Sequence, residues 1–190
     1  MSEENKKEIQ QDPSLNEKLL KTRSVMLTGE ISKESADLVI RQLLVLDSLS
    51  QDPITIYINS PGGDVDGGFA IYDTIRFIES QVTVVGLGLV ASAATLVFLA
   101  VDKERRLALP HSSYLIHQPL SGMKGVEADI AIHAEQLERL RHLLDSVIAE
   151  ATGKSVEEVA EDTERDHWLS SVEAKDYNIV GRIISKKSEI

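Results

Sequence analysis

From residue 24 onward the spacing of apolar positions switches repeatedly between about two and about 3.6, as alternating strands and helices require. SVMLTGEI (24–31) reads as a strand. SKESADLVIRQLLVLDSLS (32–50) reads as a helix capped by Ser32, with Ala36, Val39, Ile40, Leu43, Leu44 and Leu46 on its apolar face. ITIYIN (54–59) is rich in β-branched residues and predicts a strand, and SPGGDVDGG (60–68) predicts a turn into the amphipathic helix FAIYDTIRFIES. The theme recurs in VTVVGL, a strand followed by a helix from about Ser92, and in the short strands RRLALP and SYLIHQ. A long helix over about 126–151 sets Glu135, Glu138, Arg139 and Arg141 against Ile130, Leu137, Leu140 and Leu144, and Thr152-Gly153 suits its C-cap. SVEEVAED reads as a short helix, LSSVEAKDY opens another, and NIVGRIIS reads as a final strand. Alternating strands and helices predict an α/β fold around a largely parallel sheet.

One segment tests this reading. VTVVGLGLVASAATLVFLAV (82–101) runs for twenty residues without a charge, long enough to nominate a membrane helix. Its β-branched opening, the interruptions at Gly86 and Gly88 and the alanine-rich close instead predict a buried strand, a turn and a buried helix. No aromatic belt flanks it. Residues 1–18 are polar and read as a mobile tail, with Asp12-Pro13 as its break, followed by a single domain over 19–190.

Composition narrows the function classes. A chain of 190 residues with 42% hydrophobic and 27% charged residues is that of one packed domain. A formal charge of −11 repels phosphate backbones and anionic lipid, so neither nucleic acid nor a membrane is an expected partner. Without cysteine there is no disulfide, thiolate metal site or cysteine nucleophile, and the five histidines lack ligand spacing, so no metal is expected. The N-terminus carries no signal-peptide pattern, and a cytoplasmic location is the expectation.

Four features can carry chemistry, and each also has an ordinary explanation. Ser92 stands where a strand hands over to a helix, beside free N–H groups that can stabilise an anion, yet serine there is more often a cap. The paired glycines of NSPGGDVDGG allow close backbone approach to an oxyanion or an extended peptide, yet SPGG is also a common tight turn. His117, at a strand end halted by Pro119, can act as a general base or as a structural donor. In EDTERDHWLS, Asp162 or Asp166 can orient an imidazole, or the stretch is a solvated loop.

Taken in order, YINSPGGDVDGGFAIYDTIRFI, GLVASAAT, ALPHSSYLIHQPLSG, ADIAIHAEQLERL and EDTERDHWLSSVEAKDYNIV resemble the proteolytic subunits of the Clp protease, the ClpP family, from about Val25 to Ser185. The resemblance implies a ClpP/crotonase-like spiral of strand-turn-helix units with a protruding long-helix handle. It implies a serine endopeptidase with Ser92 as nucleophile, His117 as general base and Asp166 as the orienting acid. Oxyanion donors would be the backbone N–H groups of Gly63 and Ala93. Main-chain pairing around Asp64, Val65, Ser121 and Gly122 would hold an extended peptide. The family assembles as two stacked seven-membered rings, with Arg165 at the ring-to-ring contact. An AAA+ Clp ATPase feeds unfolded protein substrates, so ATP belongs to that partner and the chain itself takes no cofactor.

The chain departs from the family at several points. VASAA replaces the usual AASMG, placing Ala93 and Ala94 beside Ser92, and the tail replaces an apolar N-terminal arm. Thr55 stands where an aromatic is common, although Tyr57 is kept, and YNIVG replaces YGLID, where Asn178 can adopt the left-handed conformation and Gly181 loses an acid. These differences suggest a divergent paralogue. The alternatives are a weakly active structural or regulatory subunit that assembles with and activates a second ClpP subunit, and an acyl-CoA enzyme of the crotonase fold.

Overall fold

The computed structural model describes residues 13–120, 122 and 124–190. Pro13 opens helix α1 (Pro13–Lys21), so helical structure begins within the tail that the sequence extended to residue 18. Strand β1 (Ser24–Thr28) is followed by α2 (Lys33–Leu49), β2 (Ile54–Ser60), α3 (Val65–Phe77), β3 (Val82–Ala91) and the short α4 (Ala93–Phe98). Then come β4 (Arg106–Ala108), β5 (Ser113–Ile116), the long α5 (Glu127–Thr152), α6 (Val156–Asp162), β6 (His167–Ser170), α7 (Ser171–Asp176) and β7 (Arg182–Ile183).

The sheet has the order β1-β2-β3-β4-β7, every pairing along it parallel. Beyond Gly86, β3 changes partner: its last three residues pair in parallel with β5, and β5 carries the antiparallel β6. Buried Val25, Leu27, Ile54, Ile56, Ile58, Val84 and Val90 from the strands meet Ala36, Val39, Leu43 and Leu46 of α2 and Ile71 and Ile75 of α3. Each such valine, leucine or isoleucine side chain withdrawn from water contributes about 1.5–3 kcal/mol. Leu44, read as part of the apolar face of α2, is exposed.

The uncharged stretch is one strand followed by one short helix. The expected turn at Gly86 and Gly88 is not there, because β3 continues through both. A Cβ on Gly86 would overlap the Tyr114 hydroxyl, so glycine here lets a buried tyrosine cross the strand. Gly88, at φ +54°, lies where β3 slips against β2: Ile58 pairs with Gly86 but Ser60 pairs with Val90. The two extra residues form a bulge, tied by the Leu89 N–H to Asn59 Oδ1 at 3.1 Å. Among the described residues, no helix is long and apolar enough to cross a membrane.

Helix α5 buries only Asp145, Ile148, Ala149 and Thr152, all in its last two turns, so its first four turns project from the body of the chain. It ends at Gly153 in the left-handed conformation, φ 77°. The final strand is shorter than expected, two residues instead of the span of NIVGRIIS. Gly181, where the family often has an acid, packs so closely on the Lys103 carbonyl that no Cβ fits, and Asn178 adopts φ 68°.

Candidate active site

Ser92 is placed by the bulged half of β3. Its N–H donates to the Leu115 carbonyl of β5 at 2.9 Å, and its carbonyl accepts from Thr95 at 2.9 Å as α4 begins. The backbone at Ser92 has φ 56° and ψ −125°, a region that ordinary side chains avoid at a cost of about 1–3 kcal/mol. The side chain makes no capping bond, which removes the ordinary N-cap reading. Thr95 takes the structural role instead, its hydroxyl bonding to the Val90 and Leu115 carbonyls, both at 3.1 Å.

The glycine turn lies against this corner. Gly62 approaches so closely that a Cβ there would come within 2.6 Å of the Ala91 carbonyl and 2.9 Å of the Ala93 nitrogen. Gly63 forms a parallel bridge with Ile31, in which Gly62 O accepts from Ile31 N–H and Asp64 N–H donates to Ile31 O, both at 2.8 Å. Those bonds use the groups flanking Gly63, so its own N–H is directed away from Ile31. Gly63 has φ +142° and is exposed, and a Cβ would collide with the Ile31 carbonyl. Ala93 is buried and opens α4, where its N–H has no acceptor within the helix. Asp64 caps α3 through the Gly67 N–H at 2.6 Å, so its carboxylate is committed to the helix while its main chain borders the turn.

His117 and Asp166 are brought together by strand register. Antiparallel β5 and β6 pair Ile116 with His167, so the residues just beyond, His117 and Asp166, face each other. His117 Nδ1 lies 3.4 Å from Asp166 Oδ1; the histidine side chain is 15% exposed and the carboxylate 63%. At that distance and exposure the pair contributes little to the stability of the fold. With Nδ1 turned to Asp166, Nε2 is the nitrogen left for the cleft. Asp162, the other acid the sequence left open, bonds elsewhere: Tyr177 donates to it at 2.6 Å.

Ser92, His117 and Val65 line one cleft, whose remaining walls include Ala93, Leu96, Ile116, Leu144 and Ile148. Leu144 and Ile148 come from α5, a contribution the sequence reading did not foresee. Gln118 was also passed over as a functional group. Its N–H donates to the Thr163 carbonyl at 2.8 Å and its Nε2 to the Glu164 carbonyl at 2.7 Å, holding the segment that leads to Asp166. Asp145, buried on α5, accepts from the Thr163 hydroxyl at 2.9 Å. An acid four residues after Arg141 was the only signal for it. Gly122 is exposed, Ser121 lies outside the described residues, and Arg165 is exposed beside Asp166. Among the described residues there is no cluster of His, Cys, Asp and Glu that could hold a metal ion.

A model of the family described as Clp protease matches residues 6–187. The ATP-dependent Clp protease proteolytic subunit 2 of Treponema denticola is 50% identical over 190 residues, which span 100% of this chain and 95% of that protein. The subunit of the same name from Treponema pallidum is 51% identical over 92% of this chain and 88% of its own length. The solved structure of a ClpP1 mutant from Listeria monocytogenes superposes with a TM-score of 0.86 at 49% identity, covering 92% of this chain and 98% of that one. With a family match over nearly its whole length and relatives at half identity, the chain belongs to the Clp protease family and is a serine-type endopeptidase.

Proposed function

We propose that Ser92 is the nucleophile of this peptidase, His117 its general base and Asp166 the carboxylate that orients the imidazole. His117 takes the hydroxyl proton as Ser92 attacks a peptide carbonyl, and the N–H groups of Gly63 and Ala93 meet the oxyanion that forms. The imidazolium then protonates the leaving amine, and water activated by the same ring releases the acyl-enzyme. Every step is proton or acyl transfer by groups of the chain, and no cofactor enters. Main chain at Asp64–Val65 and at Ser121–Gly122 would hold the substrate as an extended strand, leaving side-chain selection to the apolar cleft. The observation that carries the reading is the uncapped Ser92 at positive φ, sharing a cleft with a histidine paired to Asp166.

The same reading includes two stacked seven-membered rings, Arg165 at their contact, and an AAA+ Clp ATPase that spends the ATP and delivers unfolded proteins, in the cytoplasm. Exposed Val126 at the N-cap of α5, with exposed Ile130 and Ile132 on its projecting part, supports an interface there, since a lone chain leaves them in water. The relatives compared are named proteolytic subunits, which does not favour a role confined to activating a second ClpP subunit. Nor does a protease family suit an acyl-CoA enzyme.

The test is labelling with a serine-reactive fluorophosphonate together with hydrolysis of fluorogenic peptides. Ser92→Ala is expected to abolish both, and retained hydrolysis would remove Ser92 from the mechanism. Asp166→Asn should lower turnover by on the order of 10⁴ while leaving the fold intact, because the imidazole loses its orienting partner.

A further inference from the structure

A second Asp–His pair lies one residue from the candidate triad. His167 follows Asp166 and opens β6, where successive side chains point to opposite faces. Its Nδ1 stands 3.8 Å from Asp162 Oδ1, and its ring tilts against that of Tyr177 with 5.7 Å between centroids. The other oxygen of Asp162 accepts the Tyr177 hydroxyl at 2.6 Å, and burial with this acceptor pushes the phenol well above its ordinary pKa. Lys154 lies over the Tyr177 ring, 4.6 Å from its centroid. The end of α6, the start of β6 and the C-cap of α7 thus converge on one carboxylate.

The segment between Asp162 and His167 is the one that carries Asp166. Toward its start, Gln118 grips the carbonyls of Thr163 and Glu164. At its far end the His167 ring lies beside Asp162 and packs at a tilt against Tyr177. His167 also forms the first rung of the β5–β6 ladder, opposite Ile116, the residue before His117. We propose that His167, held by Asp162 and Tyr177, is a positioning residue that keeps this rung closed and so holds Asp166 opposite His117. His167 and Asp162 side chains are 31% and 30% exposed, so the pair acts by fixing geometry more than by its own attraction. The proposal rests on the triad reading above.

The experiment compares His167→Ala, His167→Arg and Asp162→Asn in the assembled protein, with native mass spectrometry to confirm assembly and fluorogenic peptide kinetics at saturating and limiting substrate. His167→Ala is expected to lower kcat about tenfold with KM held within about twofold, since orientation of the triad and not peptide binding is lost. His167→Arg should recover most of that rate, because a guanidinium can pair with Asp162. The double variant His167→Ala, Asp162→Asn should be no slower than the worse single one, as expected of partners in one contact. An unchanged kcat in His167→Ala, a loss confined to KM, an Arg variant as slow as Ala, or losses that multiply would each overturn the proposal. If His167→Ala does not assemble, Asp162→Asn decides by the same kcat and KM criteria. A fully active Asp166→Asn would instead remove the triad reading, a failure told apart from one at His167 alone.

Discussion

Ser92 concentrates what a single residue contributes. Its side chain is free of capping bonds, and its backbone occupies a region that favours glycine, so the chain is strained where the nucleophile is proposed. That strain has a measurable sign. Ser92→Gly and Ser92→Ala should both be inactive, but the glycine variant should be more stable by about 1 kcal/mol, because relief of strain exceeds the extra entropy of an unfolded glycine. Equal denaturant midpoints for the two variants would show that the corner is unstrained. A lone serine in an uncharged run was visible in the sequence; its φ was not, because close approach by Gly62 and the Leu115 bond shape that corner. The chemistry of the acidic stretch left Asp162 and Asp166 both open; the family resemblance implied Asp166, and strand register is what brings Asp166 opposite His117.

Among the elements, helices were more legible than strands because their ends carry local signals. Ser32, Ser155 and Ser170 each cap a helix and complete a reciprocal box with the residue three positions on. In the last two boxes the backbone N–H and then the hydroxyl of the serine donate to Glu158 and Glu173, holding both carboxyls below the usual value of 4.5. A carboxyl depressed in the folded state contributes stability that is present above its unfolded pKa and is lost as pH falls through the folded one. Urea midpoints followed from neutral pH to below 4.5 should therefore fall less steeply for Glu158→Gln or Glu173→Gln than for the native chain. A parallel decline would show that the boxes carry no pH-dependent stability. Strand β3 was cut short in the sequence reading because two glycines normally interrupt a strand. Here one admits Tyr114 and the other shapes a bulge, both decided by distant residues. Strand β6 was missed because its four residues gain their form only by pairing with β5.

For the whole molecule, the projecting turns of α5 are the outstanding feature. Their apolar residues are exposed in the single chain, while the last turns close the cleft through Leu144 and Ile148, so one helix belongs to both the outward surface and the candidate site. If Arg165 contributes to the ring contact as proposed, Arg165→Ala should shift native mass spectra from fourteen-subunit toward seven-subunit species. Added salt should move the native protein in the same direction. A native protein and a variant with the same distribution at every salt concentration would remove Arg165 from that contact.

The sequence by itself determined the α/β alternation, the Ser32 cap, the long helix and its glycine stop, and the four segments from which the candidate site is drawn, because these depend on local periodicity and backbone preference. Tertiary structure alone decided that Ser92 leaves its hydroxyl uncapped and that α5 walls the cleft, and it supplied the register that brings Asp166, the acid the family resemblance implied, to His117. Those features depend on register and close approach between segments far apart in the chain, where no local pattern carries the information.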